Sequence, residues 1–340
     1  MSENWIGPLK FRAEAENWAM LNPFRISGYV FESLRVVCVT VERDGCIGQG
    51  EAAGVYYRND NVPAILEQLK PLQEIFETGI SRDTLQTLLP AGGARNAVDC
   101  ALWDLEARLT GRPAWRIAGL PVPRSLVTTF TCGADEPEKM AATAVGYTGA
   151  KAIKLKLTGD AVDADRVRAV RDAKPNVWLG VDANQGFTRA SLERLMPVLT
   201  SARVSLIEQP FPIGQEALLD GFQSPIPLAA DETVQTLSDI SKLPGRFSVV
   251  NIKLDKCGGL TEGLAMARAA RSAGLETMVG NMGGTSLAMA SSFLVGQLCS
   301  LVDLDGPVFL KSDRTHTVQY ENGAITCPES VWGGTASHGT

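Results

Sequence analysis

From about residue 126 to 305 the sequence repeats one unit: a short apolar run, a polar junction, then a segment with helical spacing. The apolar runs fall near 126–132, 152–157, 177–182, 205–208, 227–231, 249–254, 276–279 and 301–305. Each has the length of a strand, and helical segments such as 162–173, 191–199 and 261–273 stand between them. Eight strands alternating with helices predict an α/β fold, a (β/α) barrel of the TIM type rather than an open sheet. This assigns 124–305 to the barrel. Residues 1–123 are expected to form an N-terminal α+β capping domain, and 306–340 a C-terminal tail packing back on it.

In the capping part, 34–41 is rich in valine and reads as a strand, continued through a tight turn by Gly45-Cys46-Ile47-Gly48-Gln49-Gly50. That glycine spacing is not the dinucleotide fingerprint; a hairpin with a close backbone approach is expected. Helices are predicted over 63–77 and 96–109, the second stopped by Gly111 and Pro113.

Lysine and carboxylate must carry any chemistry, because the chain has only two histidines, His316 and His338. A Ser-His-Asp triad or a His-rich zinc site would have to draw on that pair, which argues against both. Seven cysteines without a C-x-x-C pair suit small apolar residues in a reducing cytoplasm. A formal charge of −6 argues against nucleic acid or an anionic membrane as partner. Residues 1–10 lack the pattern of a secretory signal, and the most apolar stretch, 287–302, is too short and too polar to span a bilayer.

Barrel enzymes keep their chemistry on the rim where the strands end. Strand two ends in Lys154 and Lys156, strand three in Asp182-Ala183-Asn184, strand four in Glu208-Gln209-Pro210, and strand five in Asp231-Glu232. Strand six ends in Asn251-Ile252-Lys253 and strand eight in Asp303-Leu304-Asp305. A lone K-x-K reads most simply as a solvated edge strand. Polar tags on six strand ends of one barrel do not.

Asp182, Glu208 and Asp231 would converge from three adjacent strands and repel one another unless a cation sits among them. An oxygen-only set selects a hard ion, Mg²⁺ first and Mn²⁺ next. Asn184 and Glu232 are placed behind these ligands as hydrogen-bonding groups. Lys156 and Lys253 flank the triad on strands two and six. A substrate carboxylate at the cation would put its α-carbon between two amines, one removing a proton and the other returning one on the opposite face. The cation would stabilise the enediolate. A base of this kind must be neutral, whereas free lysine titrates near pH ~10.4. Lowering that to roughly 7–8 costs about 4 kcal/mol, which burial and the repulsion of Lys154 or the cation could supply. Lys256, three residues beyond Lys253, is given a structural role.

With these residues in place the chain resembles the enolase superfamily, in its muconate-lactonising group, and most closely the dipeptide epimerases of the L-Ala-D/L-Glu type. Lysine bases working beside Mg²⁺ are characteristic of that superfamily. The resemblance spans nearly the whole chain and includes Leu89-Pro90-Ala91-Gly92-Gly93-Ala94-Arg95-Asn96-Ala97-Val98-Asp99-Cys100-Ala101-Leu102-Trp103-Asp104-Leu105, Asn251-Ile252-Lys253-Leu254-Asp255-Lys256-Cys257-Gly258-Gly259-Leu260-Thr261-Glu262 and Asp303-Leu304-Asp305-Gly306-Pro307. It implies an enolase-like, modified barrel, an isomerase acting on a dipeptide, and a homo-oligomer. In similar epimerases the D-x-D pair holds the dipeptide's ammonium, a role it gives to Asp303 and Asp305. The turn Gly280-Asn281-Met282-Gly283-Gly284-Thr285-Ser286 could bind the dipeptide backbone through Met282 and Thr285, or close the barrel floor.

The chain departs from that pattern in two places. Relatives acting on Ala-Glu can carry an arginine a few residues beyond the Pro-Phe of the N-terminal loop; here Pro23-Phe24-Arg25-Ile26-Ser27-Gly28-Tyr29-Val30-Phe31 has none at those later positions. Either Arg25 substitutes, or Tyr29 and Phe31 favour a neutral or aromatic side chain. Some relatives also have glutamate where Gly284 stands. N-acylamino acid racemisation, o-succinylbenzoate synthesis and cycloisomerisation would use the same acid, base and metal set, but none explains an acidic pair on strand eight. A non-catalytic small-molecule binder is the alternative of a different class.

Overall fold

The computed structural model describes residues 5–335. The start of the 1–10 segment, His338 and the end of the 306–340 tail lie outside the described residues. Eight parallel strands pair in chain order: Thr129–Cys132, Ala152–Lys156, Trp178–Asp182, Leu206–Glu208, Leu228–Ala230, Val249–Ile252, Glu276–Val279 and Leu301–Val302. They form the nearly closed barrel that the alternation predicts. Helices such as Asp163–Ala173, Arg189–Ser201 and Leu260–Ser272 cover its outside, while short 3-10 turns, Glu216–Leu219 and Leu237–Lys242, follow strands four and five.

Side-chain parity organises the barrel. Outward residues such as Ile153, Leu155, Val181, Ile207, Val250 and Ile252 join the core beneath the helices. Leu206, Ala229, Val249 and Met278 form a separate buried plug, packed by Trp178 and Leu301. Two residues further along the same inward rows, the chain places Glu208, Asp231, Asn251 and Asp303. The apolar plug therefore turns into a polar mouth within one step along each strand.

Strand eight stops at Val302, short of the expected 301–305. The seam to strand one is closed by side chains: Thr129 Oγ1 donates to Asp303 Oδ1 at 2.5 Å, Thr131 N to Asp305 Oδ2 at 2.7 Å, and Leu304 N to Thr128 Oγ1 at 2.9 Å. These bonds use up the positions that a longer ladder would occupy.

Before the barrel stands an antiparallel sheet of Lys10–Ile26, Tyr29–Arg43 and Cys46–Ala52, with a register shift between Ala19 and Phe24. The predicted 34–41 strand is thus the buried centre of a much longer one. The helix expected over 63–77 is two, Val62–Leu69 and Leu72–Thr78, because Pro71 begins a new helix as its N-cap. Helix Gly93–Thr110 is buried on every side, since it lies between this sheet and the barrel. A Cβ on Gly48 would stand 2.3 Å from Ala101 O, and one on Gly50 2.1 Å from Ala97 O, which is the close approach the glycine run requires.

The same helix docks on the barrel through polar contacts. Asp99 accepts from Thr261 N at 2.9 Å and Thr261 Oγ1 at 2.6 Å, and Arg95 donates to Cys257 O at 2.5 Å. The two motifs 89–105 and 251–262 thus meet at one interface. After the barrel, Gln319–Glu321 and Ala324–Thr326 extend a small sheet from Leu126–Val127, and Trp332 Nε1 reaches Gln49 O at 2.9 Å. All seven cysteines are free thiols, and among the described residues no helix is long and apolar enough to cross a membrane.

Candidate active site

Asp182 and Glu208 end strands three and four and Asp231 directly follows strand five, all on inward positions, and each is fully buried. One carboxylate oxygen from each lies within 4.8 Å of the others. Three buried carboxylates at that spacing need positive charge. Lysines supply it from the flanks: Lys156 Nζ is 2.6 Å from Asp182 Oδ2, Lys253 Nζ 2.6 Å from Asp231 Oδ2, and Lys154 Nζ 3.3 Å from Glu208 Oε2. Lys154 also bonds Asp303 Oδ2 across the barrel.

These charges set the titration behaviour. Burial alone would lower the Lys154 and Lys253 ammonium groups, but the carboxylates around them override it and hold both above the usual lysine range; for Lys253 this is the reverse of the lowering expected of a base, and a cation at the triad would offset the carboxylate charge that causes it. Lys154 is therefore tied to three carboxylates, Glu208, Asp303 and, at 3.9 Å, Asp182, rather than standing as an unbalanced charge beside Lys156, which differs from the repulsive role expected for it. Burial and the neighbouring Asp182 push Glu208 up to about 7. Burial and Asp231 push Glu232 up to about 8. Burial would raise Asp231 as well, but Lys253 and Lys256 hold it well below the carboxylate range.

Donor chemistry favours a divalent cation at the triad: three buried carboxylates from three rigid strands, with oxygen as the only ligand atom. Around it Asn251 Nδ2 donates to Glu208 Oε1 at 2.7 Å, Asn184 N to Asp182 Oδ1 at 2.8 Å, and Asn184 Nδ2 to Glu232 Oε1 at 3.3 Å. Asn184 Oδ1, Glu232 Oε2 and Asn251 Oδ1 are buried acceptors without a protein donor. A surplus of buried acceptors beside the triad is what a hard cation and its bound waters satisfy.

Above the mouth lies a cavity of about 770 Å³, including its open entrance. Its floor carries Lys154, Lys156, Asn184, Lys253, Asp303 and Asp305, and Met282 lines its side. Its roof comes from the antiparallel sheet and is apolar: Phe24, Ile26, Phe31 and Leu34. Arg25 lies between Phe24 and Ile26, so strand alternation turns it away, and it lines a neighbouring cavity with Lys139. Tyr29 is largely exposed at the hairpin tip and packs edge-on against Tyr56, which does line the cavity. Thr285 is fully buried and bonded to Glu51, so its side chain is turned from the cavity.

One participant, Asn251, carries no assignment from sequence, and a second, Lys256, is given there only a structural role without a partner. Asn251 shares the inward row with Lys253, a signal that parity alone could have supplied. Lys256 is fully buried, its Nζ 2.5 Å from Asp231 Oδ1 and 2.6 Å from Asp231 O. It reaches there because Lys253 caps the short helix Leu254–Cys257, which brings residue 256 back over the strand end.

Residues 10–119 match the family described as mandelate racemase / muconate lactonizing enzyme, N-terminal domain, and residues 138–333 that described as enolase C-terminal domain-like. The L-Ala-D/L-Glu epimerase of Escherichia coli (strain K12) is 37% identical over 312 residues, covering 91% of this chain and 97% of that one. An N-acetyl-D-glutamate racemase from Pseudoalteromonas sp is 36% identical over 302 residues, 88% of this chain and 95% of its own. A crystal structure of an enolase family member from Agrobacterium tumefaciens, with homology to dipeptide epimerases and with bound sodium and L-Ala-L-Glu, superposes with a TM-score of 0.93 at 37% identity. It covers 96% of this chain and 100% of that one. With both of its domains matched and its barrel mouth built on this acidic and lysine framework, the chain belongs to the mandelate racemase / muconate lactonizing enzyme family of the enolase superfamily.

Proposed function

We propose that this protein is an isomerase that inverts the α-carbon of the second residue of a dipeptide with a free amino terminus. The observation that carries this reading is that Lys156 and Lys253 enter one cavity from strands two and six, with the carboxylate triad between them and Asp303 and Asp305 to one side. One amine takes the α-proton and the other returns one to the opposite face, so each acts as base for one epimer and acid for the other. Asp182, Glu208 and Asp231 would hold Mg²⁺, with Mn²⁺ as its substitute. When bound, that cation supplies charge that eases the build-up of negative charge on the substrate carboxylate. Lys154 steadies Glu208 and Asp303, while Asn184 and Glu232 support the ligands from behind.

Asp303 and Asp305 are the acceptors proposed for the dipeptide ammonium. The apolar roof offers no cation to an acidic side chain, which favours an uncharged one on the inverted residue. We further read 1–123 as the capping domain, 124–305 as the barrel and 306–340 as the returning tail, and expect identical copies to assemble. Racemisation of an N-acylamino acid is the second reading, favoured by the 36% relative and disfavoured by the acidic pair at the amino end. A dipeptide panel and an N-acetylamino acid panel, incubated in deuterium oxide with Mg²⁺, separate them by mass shift. Label at the second residue's α-carbon of dipeptides is expected. Label confined to the acylated panel would overturn the proposal, and label on neither would leave only a binder.

A further inference from the structure

The wall of the cavity between Lys253 and strand eight is the turn 281–284, and its anchors come from elsewhere in the chain. Asn281 Nδ2 donates to Asp303 O at 2.7 Å, and Gly283 N to Asn281 Oδ1 at 2.8 Å. Beyond it, Thr285 N donates to Glu51 Oε1 at 2.8 Å and Thr285 Oγ1 bonds Glu51 Oε2. Glu51 is the penultimate residue of the strand Cys46–Ala52 and is 2% exposed. Arg314, from the segment after the barrel, donates from Nη2 to Glu51 Oε2 at 2.7 Å, from Nη2 to Glu16 Oε2 at 2.7 Å and from Nε to Thr285 Oγ1 at 2.6 Å. Its neighbour Asp313 accepts from Ser286 N at 3.0 Å and Ser286 Oγ at 2.5 Å. Neither Glu51 nor Arg314 lines the cavity.

We infer that Glu51 and Arg314 are positioning residues that fix the 281–284 wall and, through Asn281, the backbone of Asp303, and so set how tightly the substrate's amino end is held. Two features separate this from general stabilisation. Apart from the Arg314–Glu16 bond, these bonds converge on Thr285 and Ser286, where the 281–284 turn passes into the helix Ser286–Gly296, rather than being spread over the interface. Their route to the substrate ends at the Asp303 backbone, and the ammonium groups of Lys156 and Lys253 are held instead by Asp182 and Asp231, so proton transfer stays intact when these bonds are loosened. The inference rests on the reading in which Asp303 and Asp305 receive the ammonium.

Glu51→Gln keeps an acceptor for Thr285 N but loses the charge that draws Arg314 and Thr285 Oγ1. It should raise KM for a free dipeptide by about tenfold while kcat stays within about twofold. Arg314→Met alone would strand a buried carboxylate and could unfold the chain. The double variant Glu51→Gln/Arg314→Met removes both charges; it should recover thermal stability yet keep the raised KM. Hydrogen exchange of peptides spanning 280–286, read by mass spectrometry without substrate, should speed up in both folded variants. Unchanged exchange there, unchanged KM, or kcat falling in step with KM and stability would each overturn the inference. If wild type labels no dipeptide, the epimerase reading fails and this inference fails with it. Label in wild type beside an unmoved KM in the variants overturns the positioning role alone.

Discussion

Lys256 holds Asp231 at two points, its Nζ lying 2.5 Å from the carboxylate Oδ1 and 2.6 Å from the backbone carbonyl. Since Lys253 takes the other carboxylate oxygen at 2.6 Å, the end of strand five is gripped from strand six on both sides. Lys256→Met should therefore cost stability, by about 3 kcal/mol, the low end for breaking a buried pair, because Lys253 remains. The loss should be largest in EDTA and shrink in excess Mg²⁺, where a cation would take over part of the charge balance and favour the folded chain. Urea denaturation in both conditions measures it. An equal loss in both would mean that Asp231 does not meet the cation.

Lys156→Ala and Lys253→Ala should each lower epimerisation by about 10²–10⁴-fold, the range for removing a general acid or base. Each variant should retain α-proton exchange on one stereoisomer only, and the two should retain opposite ones. Exchange of both stereoisomers in either variant would show that one amine serves both faces.

The barrel is legible in the sequence because parallel βα units repeat locally: each strand carries its own inward row, and Lys154, Asp182, Glu208, Asp231 and Asn251 can be placed on it by counting in twos. Contacts that depend on distant segments are not. Nothing near Glu51 announces Thr285 or Arg314, and Lys256 gains its partner only through the turn after strand six. Lys10–Ile26 begins with strand alternation, Phe11, Ala13 and Ala15 set between charged residues, but two of those three apolar residues are alanine and the pattern fades from Asn17 on, so its signal is weak. Residue type and motif point to Arg25, Tyr29 and Thr285, whereas their direction is decided by strand parity at Arg25, by the hairpin tip at Tyr29 and by the Glu51 carboxylate at Thr285.

Asp255 ties the barrel to the capping sheet by accepting from Gly54 N at 2.8 Å. Burial, with Asp60 and Glu51 nearby, pushes its carboxyl up to about 7. The unfolded chain would ionise it near pH ~3.9, so it costs stability progressively as pH rises from there to about 7. Asp255→Asn keeps the acceptor and cannot ionise. Its stability relative to wild type should increase by about 3 kcal/mol between pH ~5 and ~8, read by urea denaturation in EDTA. A gap that stays constant with pH would show that Asp255 is ionised throughout.

Asp305 lines the cavity beside Asp303, and burial together with that neighbour pushes its carboxyl up to about 6. Its protonation should then be visible in substrate binding. A dipeptide's amino group stays protonated below pH ~7.7, so as pH falls through about 6 the ammonium persists while its acceptor is neutralised. KM for a free dipeptide should rise over that interval, and KM for the N-acetylated counterpart should not. Asp305→Asn, whose amide oxygen can still accept from Thr131 N, should raise KM for the free dipeptide at neutral pH by about tenfold or more, the worth of one charge-assisted bond. The same variant should abolish the rise near pH ~6 and leave the acetylated substrate little changed. Measured KM against pH for both substrates, in wild type and variant, decides the matter, because a purely structural loss at the strand-eight seam would weaken both substrates alike and leave the pH dependence in place.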